Sequence, residues 1–101
     1  VRISQNPGHR FLVEWYQTAL FDASTGDVAG RLIDHAAAAR LRGTEVSVVL
    51  TVTSPVDEMV FGLFRADTAE AVWRVCRDAG CPPDRVTGGV SAYIAADGGV
   101  I

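Results

Sequence analysis

Two β-branched and apolar runs, TEVSVVLTVT at 44–53 and EMVFGLFR at 58–65, flank the short stretch Ser54-Pro55-Val56-Asp57. Proline presets the backbone of a turn, and aspartate closes turns through its own backbone. Two such runs joined this way read as an antiparallel hairpin. A hairpin in the middle of a 101-residue chain constrains both halves. A chain of this length has room for one domain and hides roughly 60–70% of its unfolded surface. Whatever flanks the hairpin must therefore cover it.

Both flanks are helical in pattern. Before the hairpin, DVAGRLIDHAAAARLR at 27–42 places Val28, Leu32, Ala36 and Ala39 on one face. Asp22, Ser24, Thr25 and Asp27 are candidate N-caps, and Gly43 sits at the stop position. After the hairpin, Asp67 or Thr68 can cap a helix over 69–79 with the stripe Val72, Val75/Cys76 and Ala79. Gly80 ends it, and Pro82-Pro83 prevents continuation. RFLVEWY at 10–16 and VTGGVSAYIA at 86–95 complete the ends as strands, the second broken by Gly88-Gly89, which reads as a bulge. The order β-α-β-β-α-β is the split βαβ, or ferredoxin-like, α+β pattern: a four-stranded antiparallel sheet with both helices on one face. The expected domain is the whole of 1–101, with a core over about 10–95 and tails at 1–9, where Asn6-Pro7-Gly8 signals a turn, and 96–101.

With both helices on one side, the other side of the sheet should alternate cleanly between apolar and polar residues. It does not. Phe11, Val13 and Trp15 point one way and Leu12, Glu14 and Tyr16 the other. Met59, Phe61 and Leu63 oppose Val60 and Phe64, and strict alternation groups Val46, Val48, Leu50 and Val52 against Val49. Large bare apolar faces are rare on monomers. The expected cover is a second copy of the chain, sheet to sheet with two-fold symmetry, forming a homodimer. The terminal tails are the competing cover.

The hairpin's second strand running into the helix, VFGLFRADTAEAV, together with RFLVEWY and RDAGCPPDRV, resembles small bacterial ferredoxin-like domains of a group of unknown function that includes nickel-responsive proteins. The resemblance spans about 10–95 and implies a dimeric α/β barrel. In nickel-responsive members the second helix reads I-H-x-x-A-G-H. Here Val75-Cys76-Arg77-Asp78-Ala79-Gly80-Cys81 fills that register with a cysteine at each histidine position.

Composition narrows the function. The net charge is −3, and the nine basic residues are arginines scattered along the chain. Nucleic-acid binding needs clustered cations, so no nucleic-acid partner is expected. No apolar run approaches the roughly 20 residues of a membrane span. VRISQNPGHR at the start has no apolar leader core, so a cytoplasmic location is the default. Arginine without lysine, with abundant Ala, Val and Gly, fits GC-rich bacterial coding. Phosphate-loop, dinucleotide, nucleophile-elbow and zinc-protease motifs are absent, and no cofactor is expected.

Several residues carry chemistry. Cys76 and Cys81 are thiol ligands for a borderline or soft metal, but a closed site needs four donors, so His9, His35 or a second chain would have to contribute. Packing is the alternative for Cys76, and a disulfide for the pair. Glu14 lies between Leu12 and Tyr16 on one sheet face, where burial would raise its pKa and make it an acid or base. Its other reading is an ion pair with an arginine such as Arg65. His35 flanks the apolar face of the first helix, where it could look into a cleft between helix and sheet as a proton carrier; its other reading is a partly exposed boundary residue. Trp15, Phe61, Phe64, Trp73 and Tyr93 can line a pocket for a small apolar ligand, or form core and interface. Two functions are consistent with these residues. One is a dimeric module that binds or senses a small molecule or metal. The other is a cofactor-independent enzyme of the dimeric α/β-barrel kind, an oxygenase or isomerase. It would use Glu14 as base and Tyr16 or His35 as proton partner.

Overall fold

The computed structural model describes residues 9–16, 25–94 and 99–100. Its elements are β1 (His9–Trp15), α1 (Thr25–Leu41), β2 (Val46–Ser54), β3 (Met59–Ala66), α2 (Ala69–Asp78), β4 (Arg85–Gly88), β5 (Tyr93–Ile94) and β6 (Gly99–Val100). Strands β2, β3, β1 and β4 lie side by side in that order, every neighbouring pair antiparallel. The central hairpin exists, and β3 is inserted between β1 and β2. This arrangement, with two helices, is consistent with a ferredoxin-like α+β fold.

Both helices end by the same device. Beyond α1, the Thr44 amide bonds the Ala39 carbonyl and the Gly43 amide bonds that of Arg40. Beyond α2, Cys81 bonds back to Cys76 and Gly80 to Arg77. These are Schellman closures, which need a left-handed residue at the turn. Gly43 has φ +91° and Gly80 φ +78°, so glycine is required there. At the start of α2, the Thr68 hydroxyl accepts from the Ala71 amide. Candidate caps Asp22 and Ser24 lie outside the described residues.

The helices cover one face. Val28, Leu32, Ala36 and Ala39 of α1, and Val72, Val75 and Cys76 of α2 with Ala79 just beyond it, are buried against Phe11, Val13, Trp15, Val60, Phe64 and Ala66 of the sheet. Trp15 and Phe64 meet over Gly62, where an added Cβ would stand 3.0 Å from the Phe64 ring and 3.1 Å from the Trp15 ring. The indole N–H of Trp15 donates to the Cys81 carbonyl at 2.8 Å, so its polar atom is satisfied inside the core.

Strand β2 departs from simple alternation. The pairing register with β3 slips between Val48 and Leu50, leaving Val49 as the extra residue of a bulge. Val46 and Val48 pair with Ala66 and Phe64 on the helix side. After the bulge, Leu50 pairs with Leu63 and Val52 with Phe61, on the other side. The four residues expected on one face are therefore divided two and two.

The last segment also differs from expectation. The strand predicted over 86–95 stops at Gly88, and Gly89 takes φ +69°. The chain leaves the sheet there instead of bulging within it. Tyr93–Ile94 then pairs with Gly99–Val100 as a separate ribbon, so the predicted tail carries structure.

Candidate functional site: the open face of the sheet

The face away from the helices carries Arg10, Leu12 and Glu14 from β1, Leu50 and Val52 from β2, Phe61, Leu63 and Arg65 from β3, and Arg85 and Thr87 from β4, as the pairing registers require. Its centre is apolar. Leu12, Leu50, Val52, Phe61 and Leu63 line an open groove of about 440 Å³, walled on one side by residues 90–92. Leu63 is buried yet stands outside the main core cluster, so this face has a small apolar cluster of its own. Leu50 and Val52 keep 38% and 48% of their surface exposed.

A polar cluster lies outside the groove, where Glu14 stands opposite Phe61 in the β1–β3 register. Glu14 faces Arg85 across the β1–β4 ladder, with Arg85 Nε 3.8 Å from Glu14 Oε2. The Tyr16 hydroxyl donates to Glu14 Oε1 at 2.8 Å. The Tyr16 amide donates to Asp84 Oδ2, and the Asp84 amide to the Glu14 carbonyl. The Tyr16 phenol is raised above its ordinary 10.0, first by its hydrogen bond to the Glu14 carboxylate. A phenol held protonated in this way is a donor, not a base. Glu14 thus forms an ion pair, with Arg85 in place of the expected Arg65, and helps to fix the β1–β4 edge.

His35 is half-buried on α1, far in sequence and element from this cluster, and His9 is exposed at the start of β1. A second cleft, of about 220 Å³, lies between the end of α1 and the start of α2 and is bordered by Arg42, Thr44, Thr68 and Arg74. Neither cleft is lined by Glu14, Tyr16 or His35.

The aromatic residues are dispersed. Trp15 and Phe64 are wholly inside the helix-side core. Phe61 lies in the open groove. Trp73 is half-buried beside Glu70 and Arg77 on the outer side of α2. Tyr93 is 64% exposed on the terminal ribbon.

The two cysteines are free and both buried. They sit at the first and last positions of the α2 Schellman closure. Burial, with the second thiol as a smaller contributor, pushes Cys76 up to about 12. Arg31 Nη2 donates to the Cys81 sulfur at 3.3 Å. No third His, Cys, Asp or Glu gathers with them among the described residues. Two thiols alone fall short of the four donors of a closed site, so among the described residues they do not make up a zinc-type or nickel-type centre. No helix among the described residues is long and apolar enough to cross a membrane.

No protein-family model, curated protein or solved structure matches the chain. Its function is read from its own geometry.

Sequence reasoning missed Arg10 and named Arg65 only as a partner for Glu14. Arg10 and Arg65 share the parity of Leu12 and Leu63, so alternation alone places both beside the apolar centre. They stand directly opposite one another in the β1–β3 register.

Proposed function

We propose that the chain is a non-catalytic binding module, that its working surface is the open sheet face, and that a small, largely apolar ligand occupies the groove there. The observation that carries this reading is the groove itself. Its volume of about 440 Å³ falls within the range of small-molecule sites, and its floor is almost wholly aliphatic and aromatic. Two copies facing one another across this surface cover Leu50 and Val52 and close the groove, as a homodimer of sheet on sheet. Catalysis is the weaker reading, because Glu14 and Tyr16 hold each other and Arg85 outside the groove's lining.

Titration with Nile red, a neutral apolar fluorophore, tests the groove. The wild-type chain is expected to bind the dye saturably with a blue-shifted emission. Phe61→Glu places a charge on the groove floor and is expected to abolish that signal while leaving the circular dichroism spectrum intact. Equal dye response in both proteins contradicts the assignment.

A further inference from the structure

The Arg10–Arg65 pair has no role in the fold that its surroundings explain. Like charges directly opposite across two strands destabilise a sheet. Here two arginines stand directly opposite in the β1–β3 register, on the same face. Each has its Nε shielded from solvent with no hydrogen-bond partner among the described residues. Neither has an ion-pair partner among them; the ion pairs formed are Arg74–Glu70 and Arg85–Glu14. A buried donor left unsatisfied costs about 1–3 kcal/mol, and more on a charged group. Among the described residues the pair thus has no counter-ion and leaves two donors unfilled at one spot.

That spot is one row along the sheet from Leu12 and Leu63, which line the groove. Arg10 is two residues from Leu12 and Arg65 two from Leu63, on the same face. Side chains so spaced on a strand are separated by roughly 7 Å, about the offset between a polar head and the first part of an attached apolar chain. Across the rows of the sheet, charge gives way to Leu12 and Leu63, then to Phe61 and Val52. The planar forks of arginine match the two oxygens of a carboxylate.

We infer that the open face binds a monocarboxylate with an apolar tail, its carboxylate held between Arg10 and Arg65 and its tail lying over Leu12, Phe61 and Leu63. This deepens the proposed function and rests on the groove being a binding surface. The ligand is a free molecule and not a bilayer component. The chain is net negative, and this pair lacks the several flanking cations that hold a protein to an anionic membrane.

The test is isothermal titration calorimetry of the full chain with three probes: octanoate, octan-1-ol and acetate. Octanoate is expected to bind at least tenfold more tightly than octan-1-ol, acetate not measurably, and octanoate affinity is expected to fall as salt rises. Arg65→Gln and Arg10→Gln should each weaken octanoate at least tenfold and leave octan-1-ol within twofold. Thermal melting gives a second readout that needs no variant, because octanoate should raise the wild-type Tm more than octan-1-ol at equal concentration. Octan-1-ol binding as tightly as octanoate overturns the carboxylate assignment and leaves the groove standing. Binding of neither overturns both. Association with phosphatidylglycerol vesicles in place of free octanoate also overturns it.

Discussion

On the helix side of the sheet Val13, Trp15 and Phe64 have no exposed surface, whereas on the other side Leu50 and Val52 keep 38% and 48% of theirs. The helix side also satisfies its polar atoms: the Trp15 indole donates to a carbonyl inside the core. The open side leaves two arginine Nε atoms without partners among the described residues. A surface needed only for folding is expected to close on itself, because unfilled apolar area and unpaired donors both cost stability. The helix side is such a surface. The open side retains both kinds of cost, and the proposed ligand and second copy would relieve them.

The contrast breaks most readily by truncation on each side. Phe64→Ala empties the core beside Trp15 and is expected to cost about 3–5 kcal/mol in urea unfolding. Phe61→Ala, three residues away on the open face, should cost no more than about 2 kcal/mol. Comparable losses from both would mean that the open face is as much a folding core as the other. Next in size is Gly62→Ala, whose new methyl meets the Phe64 and Trp15 rings at 3.0 and 3.1 Å. Overpacking of that kind costs about 1–3 kcal/mol, and the same urea titration reads it.

A pH dependence sharpens the comparison further. Cys76 holds its proton in the folded chain up to about 12, against 9.0 for an unperturbed thiol, chiefly because it is buried. A raised pKa in the folded state means that the unfolded chain ionises first. The stabilisation is whole below pH 9 and declines as pH rises toward 12. Tyr16, on the open face, is shifted in the same direction. Cys76→Ala should therefore reduce the slope of stability against pH in that window, and Cys76 of the native protein should resist thiol reagents at neutral pH. An unchanged slope would show that the helix-side core is looser than its burial implies.

The smallest effect is expected at the Glu14 cluster. Arg85 is 64% exposed although Glu14 is only 13% exposed, and an ion pair open to solvent at one partner contributes about 1 kcal/mol at most, so Glu14→Gln should change stability little. It should, however, lower the Tyr16 phenol toward 10.0, because the hydrogen bond to the carboxylate is the leading cause of its elevation. Ultraviolet titration of the phenol reads this directly. A large loss of stability with an unmoved phenol would reverse the roles of the two residues.

Much of the helix side was legible in the sequence. The spacing of Val28, Leu32, Ala36 and Ala39 obeys the helical period, and all four are buried. Gly43, Thr68 and Gly80 stand where capping chemistry requires them, and the Pro55 turn announces the hairpin. The open side was legible only in outline. Alternation placed Leu12, Phe61 and Leu63 there, but Leu50 and Val52 reach that face only through the bulge at Val49, and a run of β-branched residues gives no local sign of a bulge. Alternation also separates Trp15 from Tyr16 and Phe61 from Phe64, which argues against a single aromatic pocket. The partner of Glu14 depended on the β1–β4 register, which sequence spacing alone does not set. Gly88-Gly89 marked a break, but whether the chain bulges or departs from the sheet is decided by long-range packing that a glycine pair does not encode.

Sedimentation equilibrium of the intact chain at micromolar concentration tests the central claim most directly, with Leu50→Glu as its companion. The account predicts twice the chain mass for the wild type and the single-chain mass for Leu50→Glu, with an unchanged circular dichroism spectrum. A wild-type protein that remains at the single-chain mass throughout, with or without octanoate, contradicts the claim that the open face is where a second copy docks.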